Sequence, residues 1–203
     1  MEKKPWKLLQ RLNQLKGLKF LGRGAKVSIQ TSKLFESISQ IRTRFALRIT
    51  QKIVFESWIM YLMGIFIDAN QTQLKDVGVR FNLKKIDRMK FLEIKAMSGV
   101  LRKLAVRKLS PSQVFKILKP FSYEMILLMN ARTKKLTVKK RLENFILKYD
   151  LVRLEINGND LLQLGFVAGM KVGVILDQLL CRKIDGNIQS RQDELDYAAR
   201  LLR

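Results

Sequence analysis

The glycines and the lysine of residues 165–173 are the residues whose types and spacing best fit a binding chemistry. Gly165 comes where a short apolar helix should stop, and Gly169 and Gly173 stand one turn apart at the start of a second helix. The first turn of a helix leaves free N–H groups and the positive end of the helix dipole, which together receive phosphate. With Lys171 beside them, the spacing predicts a phosphate contact at Gly169 and Lys171. The alternative interpretation is a helical corner that only packs.

The spacing of the same glycines also predicts how the two helices pack. Glycines four residues apart share one face of a helix and permit the close approach of a neighbouring backbone. We therefore expect Gly169 and Gly173 on the inner face of the second helix, with Lys171 pointing outward. On this expectation, a large side chain at Gly173 would collide with the first helix and overpack the corner.

Three clusters of basic side chains are spaced for contact with a polyanion. On helices, such clusters form stripes that follow a phosphate backbone, although each could equally be a solvated face. They contain Lys84, Lys85, Arg88 and Lys90 in the first cluster, Arg102, Lys103, Arg107 and Lys108 in the second, and Lys134, Lys135, Lys139, Lys140 and Arg141 in the third. Nothing in the pattern reads bases, so recognition of a folded RNA by its shape is the expected mode.

The composition of the chain supports a polyanionic partner. The 203 residues carry a net charge of +23, all of it in residues 1–150, because residues 151–203 hold equal numbers of acidic and basic residues. A field of this sign concentrates nucleic acid first and anionic membrane second. No signal pattern is present, and the apolar run Trp58–Ile67 is too short to span a bilayer, so we expect a cytoplasmic protein without a membrane span.

Helical spacing of apolar residues dominates the chain, and no strand pattern persists. We expect an all-α fold, an irregular array of about ten helices that ends in a small helix-hairpin-helix-like tail. Thr31 or Ser32 is expected to cap the second helix, Asn70 a later one, and Pro120 to end another. The expected helical segments are 5–15, 31–45, 53–67, 71–81, 84–106 with a break near Ser98–Gly99, 111–119 after a Ser110 cap, 121–131, 134–149, the hairpin pair, and a last helix from Ser190.

The residues needed for several kinds of catalysis are missing. The chain has no histidine, which excludes the usual zinc sites and histidine-based triads. Its one cysteine, Cys181, excludes an internal disulfide and is expected to be buried and structural. The nearest acidic cluster is Asp193, Glu194 and Asp196, which we expect on an exposed helix as a cap and dipole partner. Asp160 is expected to cap the short first helix of the hairpin.

Residues 156–195 resemble the C-terminal tail of bacterial tRNA nucleotidyltransferases, the CCA-adding or A-adding enzymes of the poly(A) polymerase type. The matching residues are Gly158, Asp160, Leu161, Gly165, Gly169, Gly173, Ile175 and Leu176, then Asp185-Gly186 and Glu194-Leu195. Ala168 and Met170 stand where the family has prolines. Earlier segments are similar to the junction after the family's neck and to a helix pair of its body, namely Arg11–Asn13 with Gly17–Leu18, and Ser110–Leu127. The resemblance covers most of the chain, but it is to the neck, body and tail half only.

This resemblance implies a basic neck and body region at residues 1–150 and a neutral tail module at 151–203. It implies tRNA as the partner. The family's metal-binding aspartates belong to a catalytic head, and this chain has neither a Gly-Gly turn nor an Asp-x-Asp motif. We therefore expect no cofactor in this chain, with Mg²⁺ and ATP or CTP bound only through a separate head.

Three hypotheses follow. The chain is a tRNA-binding module without a head, inactive alone. Alternatively, it is part of a complete transferase whose head was lost by truncation or is encoded separately. In the third hypothesis the chain is an unrelated basic helical protein that binds nucleic acid or a membrane surface.

Overall fold

The computed structural model describes residues 5–15, 20–22, 24–46 and 56–202, and within these ranges the chain forms helices and loops without a strand. The expected all-α fold is therefore confirmed. Two short 3-10 turns, Glu93–Ala96 and Tyr149–Leu151, lie between longer helices. The α-helices of the described residues are α1 (Pro5–Gln14), α2 (Ile29–Ala46), α3 (Ser57–Ile65), α4 (Gln71–Arg80), α5 (Lys85–Leu92), α6 (Met97–Leu104), α7 (Pro111–Leu118), α8 (Tyr123–Arg132), α9 (Leu136–Leu147), α10 (Gly158–Gln163), α11 (Met170–Ile184) and α12 (Arg191–Leu202).

The chain divides into two compact units. The first unit comprises residues 1–106 and 118–143, and the second comprises residues 107–117 and 144–203. The division at residue 150 expected from the sequence rests on charge and resemblance, and it stays a prediction about functional regions.

A buried helix organises the first unit. Every residue from Met125 to Asn130 on α8 is buried, and α8 packs against α2, α3 and α6. A helix that is surrounded by other helices needs apolar residues on all sides, which explains the unbroken run Met125–Met129. This support fixes the position of the loop that follows α8.

The second unit has its own core. Its buried residues come from α10, α11, α12 and the loops around them, and they include Ile156, Leu161, Leu179 and Ala198. The carboxylate of Asp185, just after α11, accepts hydrogen bonds from the Ser112 backbone N–H at 2.8 Å and its hydroxyl at 2.6 Å. The start of α7 is thereby attached to the end of α11 within this unit.

Several helix boundaries follow local sequence signals as expected. Asn70 caps α4, and Gln73 closes the capping box on its backbone N–H. Ser110 and Gln113 make the same reciprocal pair before α7, at 3.2 and 2.9 Å. That helix ends at Leu118, two residues before Pro120, because proline cannot continue the hydrogen-bonding pattern.

Other boundaries differ from the expectation. Ser28, not Thr31 or Ser32, caps α2, because its hydroxyl accepts from the Thr31 N–H at 3.2 Å. The segment 84–106 breaks at the 3-10 turn Glu93–Ala96 rather than near Ser98–Gly99. Of the helix expected from Ile53, residues 53–55 lie outside the described ranges, as does Gly17–Leu18.

None of the described helices combines the length and the apolar character that a bilayer crossing requires.

Candidate nucleic-acid interface

The first basic cluster surrounds the start of α5. Lys84 is the N-cap residue of this helix, and Lys84, Lys85 and Arg88 are exposed. The Arg88 guanidinium donates to the Leu83 carbonyl at 3.3 Å, which leaves most of its donors facing solvent. Lys90 differs from them: its ammonium binds the Glu124 Oε1 at 2.9 Å, and the Glu124 side chain is buried. Three of the four cations are therefore available to a ligand, while Lys90 holds a structural partner.

One residue of the second cluster and two of the third meet beside the loop between α8 and α9. Arg102, from the last turn of α6, lines the same hollow as Lys134 and Lys135 from the α8–α9 loop (residues 133–135). This loop hollow has a volume of about 590 Å³ and an apolar floor that includes Leu101 and Val138. This proximity could not be predicted from the sequence, because Arg102 is far from the loop along the chain. The packing of α6 against the buried α8 places Arg102 beside the loop.

A second, more polar hollow lies on the other side of the same loop. It has a volume of about 600 Å³, and Lys134 lines both hollows. Lys33 of α2, Arg132 and Lys139 add three more cations, against the single carboxylate of Asp68. Arg132 and Asp68 are 3.6 Å apart and both are exposed, so this ion pair leaves the arginine accessible. Lys33 is isolated in the sequence, which gave no signal for it.

The remaining members of these clusters do not all face solvent. Arg141 turns inward, and its Nη1 donates to the carbonyls of Leu104 at 2.6 Å and Val106 at 2.7 Å. These carbonyls lie at the end of α6, where the helix has no backbone donors for them. Arg141 thus stabilises the end of α6. Lys103 and Lys140 are exposed in the first unit, and Arg107 and Lys108 are exposed in the second.

The hairpin of the second unit has the predicted backbone. Gly165 follows the end of α10 with φ +103°, and Gly169 is the N-cap residue of α11 with φ +144°. Lys171 is exposed in the first turn of α11, together with Met170, which is 92% exposed. The positive end of α11 and one ammonium group therefore face solvent side by side.

The packing expectation for this hairpin is wrong. Beyond the adjoining residues and the backbone of α11 itself, the described residues place no heavy atom within 4 Å of a Cβ at Gly169 or Gly173. Gly173 is exposed, so a larger side chain there would meet solvent and not α10. Of these two positions, only Gly169 requires glycine, and the requirement comes from its backbone angle.

Substitution of these two glycines by alanine should therefore change stability in opposite directions. Gly173→Ala is expected to stabilise the chain by about 0.5–1 kcal/mol, because alanine loses less backbone entropy in a helix. Gly169→Ala is expected to destabilise it by about 1–3 kcal/mol, because only glycine adopts its backbone angles freely. Urea unfolding of the two variants measures both effects. Destabilisation by Gly173→Ala would contradict this account, because it would show that the new methyl group collides with neighbouring atoms.

The acidic residues of the second unit are structural. Asp160 sits at the third position of α10 and closes a capping box with the N-cap residue Asn157, so it is not the cap itself. Asp193 accepts from the backbone of Ser190 and Gln189, which holds the pKa of its carboxyl below the ordinary value. Glu194 is not on an exposed face as expected, since its side chain has no exposure to solvent.

The described residues contain no group of three or more His, Cys, Asp or Glu side chains that could hold a metal ion. Cys181 is half-buried, and not fully buried as expected.

Comparison with known proteins relates the fold of this chain to one group of enzymes. No family model matches the chain. The A-adding tRNA nucleotidyltransferase of Geobacter sulfurreducens is 22% identical over 206 residues, which cover 98% of this chain and 23% of the relative. The solved Thermotoga maritima CCA-adding enzyme complexed with tRNA has a TM-score of 0.79 and 21% identity, over 100% of this chain and 48% of that one.

A second solved structure, a CCA-adding enzyme with CTP, has a TM-score of 0.77 and 20% identity over the same shares of the two chains. At this identity the solved structures establish a shared fold. The chain spans about half the length of the solved enzymes that it matches. The resemblance stated from the hairpin residues is thus confirmed: this chain is similar, along nearly its whole length, to the helical C-terminal half of the tRNA nucleotidyltransferases.

Proposed function

We propose that this chain binds tRNA and serves in tRNA 3′-end processing, as the helical RNA-binding portion of a nucleotidyltransferase-type protein. The observation that carries the proposal is the meeting of Arg102, Lys134 and Lys135 at one hollow. A fold shared with an enzyme whose structure was solved with tRNA supports the choice of partner.

The chemistry of the loop hollow fits the backbone of a folded RNA. Arginine binds phosphate through several N–H donors in a plane, and lysine binds it as a mobile point charge. The buried helix α8 holds the α8–α9 loop, and the Thr133 hydroxyl accepts from the Lys135 N–H at 3.3 Å. The cations therefore project from a supported backbone. The adjoining polar hollow extends the positive surface through Lys33 and Lys139.

The hairpin supplies the second contact in this proposal. Gly169 and Lys171 would receive a phosphate at the start of α11, where backbone N–H groups and the ammonium face solvent. Met170 and Val167 are also exposed there, so apolar contact with the RNA accompanies the charge. In the second unit, which has less excess positive charge, the start of α11 is one place that fits an anion.

Two triple variants of matched charge test the loop hollow. Simultaneous substitution of Arg102, Lys134 and Lys135 by alanine is expected to weaken tRNA binding about tenfold at moderate salt. The slope of log K against log[salt] should become shallower by about 2–3, since each lost phosphate contact removes about 0.9. Arg141 stays unchanged because it stabilises the end of α6. The control replaces Lys75, Lys95 and Lys116, which are exposed on other elements.

The outcomes separate the hypotheses. If the control weakens tRNA binding as much as the test variant, the loop hollow is a solvated face. If the unmodified chain binds duplex DNA or anionic vesicles at least as tightly as tRNA, the chain is an unrelated polyanion binder. A salt slope below about 2 in magnitude also contradicts the proposal, because it implies very few phosphate contacts.

We further propose that the chain does not transfer nucleotides alone. Two-metal nucleotidyl transfer needs carboxylates that clamp both metal ions, and in the resembled family these belong to a separate head. The proposal therefore places Mg²⁺ and ATP or CTP on that head, and it keeps the cytoplasm as the expected location. Incubation of the purified chain with labelled ATP or CTP, Mg²⁺ and a truncated tRNA tests this, and steady 3′ extension that survives repurification contradicts it.

A further inference from the structure

A mostly apolar hollow in the first unit has no role in the function proposed above. It has a volume of about 600 Å³ and lies between one side of α3, Leu9 of α1 and the turn that joins α4 to α5. We call it the aromatic hollow. Its lining includes Trp58, Tyr61, Phe81, Asn82, Lys84 and Asp87.

Asp87 is the unusual member of this lining. Its side chain is buried, with 8% of the residue exposed, and it faces a mainly apolar surface. Among the residues that the structure describes, none forms a hydrogen bond or ion pair with its carboxylate. The negative charge of Asp87 helps to raise the pKa of Lys90, but the ammonium of Lys90 is bound to Glu124. The carboxylate oxygens of Asp87 stay accessible to solvent at the hollow, where a ligand with N–H donors can bind them.

The ring walls of the hollow are accessible to a flat ligand. Trp58 is 46% exposed and Phe81 is 38% exposed. The indole N–H of Trp58 donates to the Glu56 Oε2 at 3.1 Å, which restrains the ring. Exposed aromatic faces beside basic residues are the usual platform for an unstacked nucleobase. A planar heterocycle therefore fits the walls better than an aliphatic group does.

The turn between α4 and α5 places an amide at the same hollow. Asn82 has φ +45° in the turn that ends α4, where the Leu83 N–H donates to the Gly78 carbonyl at 3.0 Å. Asparagine tolerates this left-handed conformation better than most residues. Its side-chain amide supplies one acceptor and two donors, which can pair with the edge of a base.

The charge around the hollow indicates the rest of the ligand. Lys84 lines it, and Lys85 and Arg88 are exposed on the following turn of α5. These three cations disfavour a cationic ligand such as a lysine or arginine side chain, which would otherwise suit an acid among aromatic rings. They favour a ligand with an N–H edge inside and a phosphate at the mouth. A nucleotide has both parts.

We propose that the aromatic hollow binds an unpaired guanine nucleotide, with the carboxylate of Asp87 accepting from the guanine N1–H and 2-amino group. Guanine carries these two donors side by side, and a carboxylate accepts both. Adenine and cytosine offer an amino group next to an acceptor, and uracil offers a single N–H between two carbonyls. The ring stacks on Trp58 or Phe81, and Lys84 binds the phosphate. This inference rests on the proposed function only in taking RNA as the source of the nucleotide.

Mononucleotides test the proposal on the unmodified chain. Calorimetric titration at low salt is expected to show that guanosine 5′-monophosphate binds at least tenfold more tightly than the adenosine, cytidine and uridine monophosphates. Inosine 5′-monophosphate, which lacks only the 2-amino group, should bind about tenfold more weakly than the guanosine ligand. Equal binding of the guanosine and inosine ligands overturns the proposal, and so does tighter binding of an arginine-rich peptide.

Variants assign the contact to Asp87. Asp87→Asn is expected to remove the preference for the guanosine ligand and leave uridine monophosphate binding unchanged. The control Asp76→Asn removes the same charge from an exposed site on α4 and should keep the preference. If Asp87→Asn keeps the preference, the site is elsewhere. The mononucleotide titrations do not depend on tRNA binding, and the salt slope of tRNA binding does not depend on the titrations. Each of the two proposals can therefore be contradicted without the other.

Discussion

Lys183→Met is expected to destabilise the second unit by about 3–5 kcal/mol, the range for breaking a buried ion pair by removing one partner. The Lys183 ammonium lies 2.6 Å from the Glu194 Oε1 and 2.8 Å from the Glu155 Oε1. The side chains of Lys183 and Glu194 are 14% and 0% exposed. Methionine keeps the length and apolar character of the lysine stem, so the main loss is the charge partner of a fully buried carboxylate.

The expected loss of stability is this large because Glu194 also fixes a loop. Its Oε2 accepts from the backbone N–H groups of Glu155 at 2.9 Å and Ile156 at 3.0 Å. Ile156 belongs to the core of the second unit. A carboxylate left without Lys183 has to remain charged in an apolar surrounding or release these N–H groups. Either result loosens the core of this unit.

Lys171→Met is the matched control, since Lys171 lies on the same helix, α11, and is exposed. Its free energy of unfolding should stay within about 0.5 kcal/mol of the parent value. Urea unfolding, monitored by circular dichroism, measures both variants. A loss of less than about 1 kcal/mol in Lys183→Met would contradict the account, because breaking a buried pair costs more than that.

The pKa of Lys183 adds a pH dependence with a definite sign. Burial lowers this pKa, but the hydrogen bonds to Glu155 and Glu194 together raise it above the ordinary 10.5. Because the pKa of Lys183 is raised in the folded state, the stabilisation from its ion pairs is complete below pH 10.5. It is lost as the pH rises through the folded-state pKa. The difference between the parent chain and Lys183→Met should therefore be constant near neutral pH and should shrink in strong alkali.

Local signals account for most of the fold that the sequence predicted. Capping residues such as Asn70 and Ser110 act within one turn of their own helix, so they can be recognised from a few neighbouring residues. The break at Glu93–Ala96 has no such signal. There Glu93 accepts from the Ser122 N–H and hydroxyl, a partner 29 residues away, and only the folded first unit brings the two together. The composition of Ser98–Gly99 predicts a break in the helix, but both residues lie within the continuous helix α6.

The candidate interface was predictable in part for the same reason. Charge clusters identify Lys134 and Lys135, because neighbouring residues in a chain stay close in space. The addition of Lys33 depends on the packing of α2 against α8, which no local pattern records. Arg141 and Lys90 were counted with solvent-facing cations, although their partners are a helix end and a buried carboxylate. Spacing along a chain reports where charges are dense, but not which of them the fold uses.

Lys90→Met tests that distinction within the first basic cluster. We expect it to destabilise the first unit by roughly 3 kcal/mol, the low end for a buried pair, because the Lys90 side chain keeps 22% of its exposure while that of Glu124 has 4%. Glu124 also accepts from the Glu56 N–H at 3.2 Å, before α3. Loss of Lys90 therefore leaves a buried charge on α8, the central helix of this unit.

The neighbouring carboxyl of Glu93 gives this variant a recognisable pH dependence. Burial raises the pKa of Glu93, the hydrogen bonds from Ser122 oppose the rise, and the positive charge of Lys90 also lowers it. Without Lys90, the folded chain should take up a proton at Glu93 more readily than the unfolded chain does. The variant should thus regain part of its stability as the pH falls from neutral through the raised pKa of Glu93.

Lys85→Met is the control that decides the role of Lys90, because both lysines lie on α5 and Lys85 is exposed. Lys85→Met should keep its free energy of unfolding within about 0.5 kcal/mol of the parent and weaken tRNA binding slightly at low salt. Lys90→Met should lose stability at neutral pH and recover part of it in acid. If the two variants unfold at the same urea concentration, Lys90 belongs with the solvent-facing cations, and the ion pair with Glu124 contributes nothing to the fold.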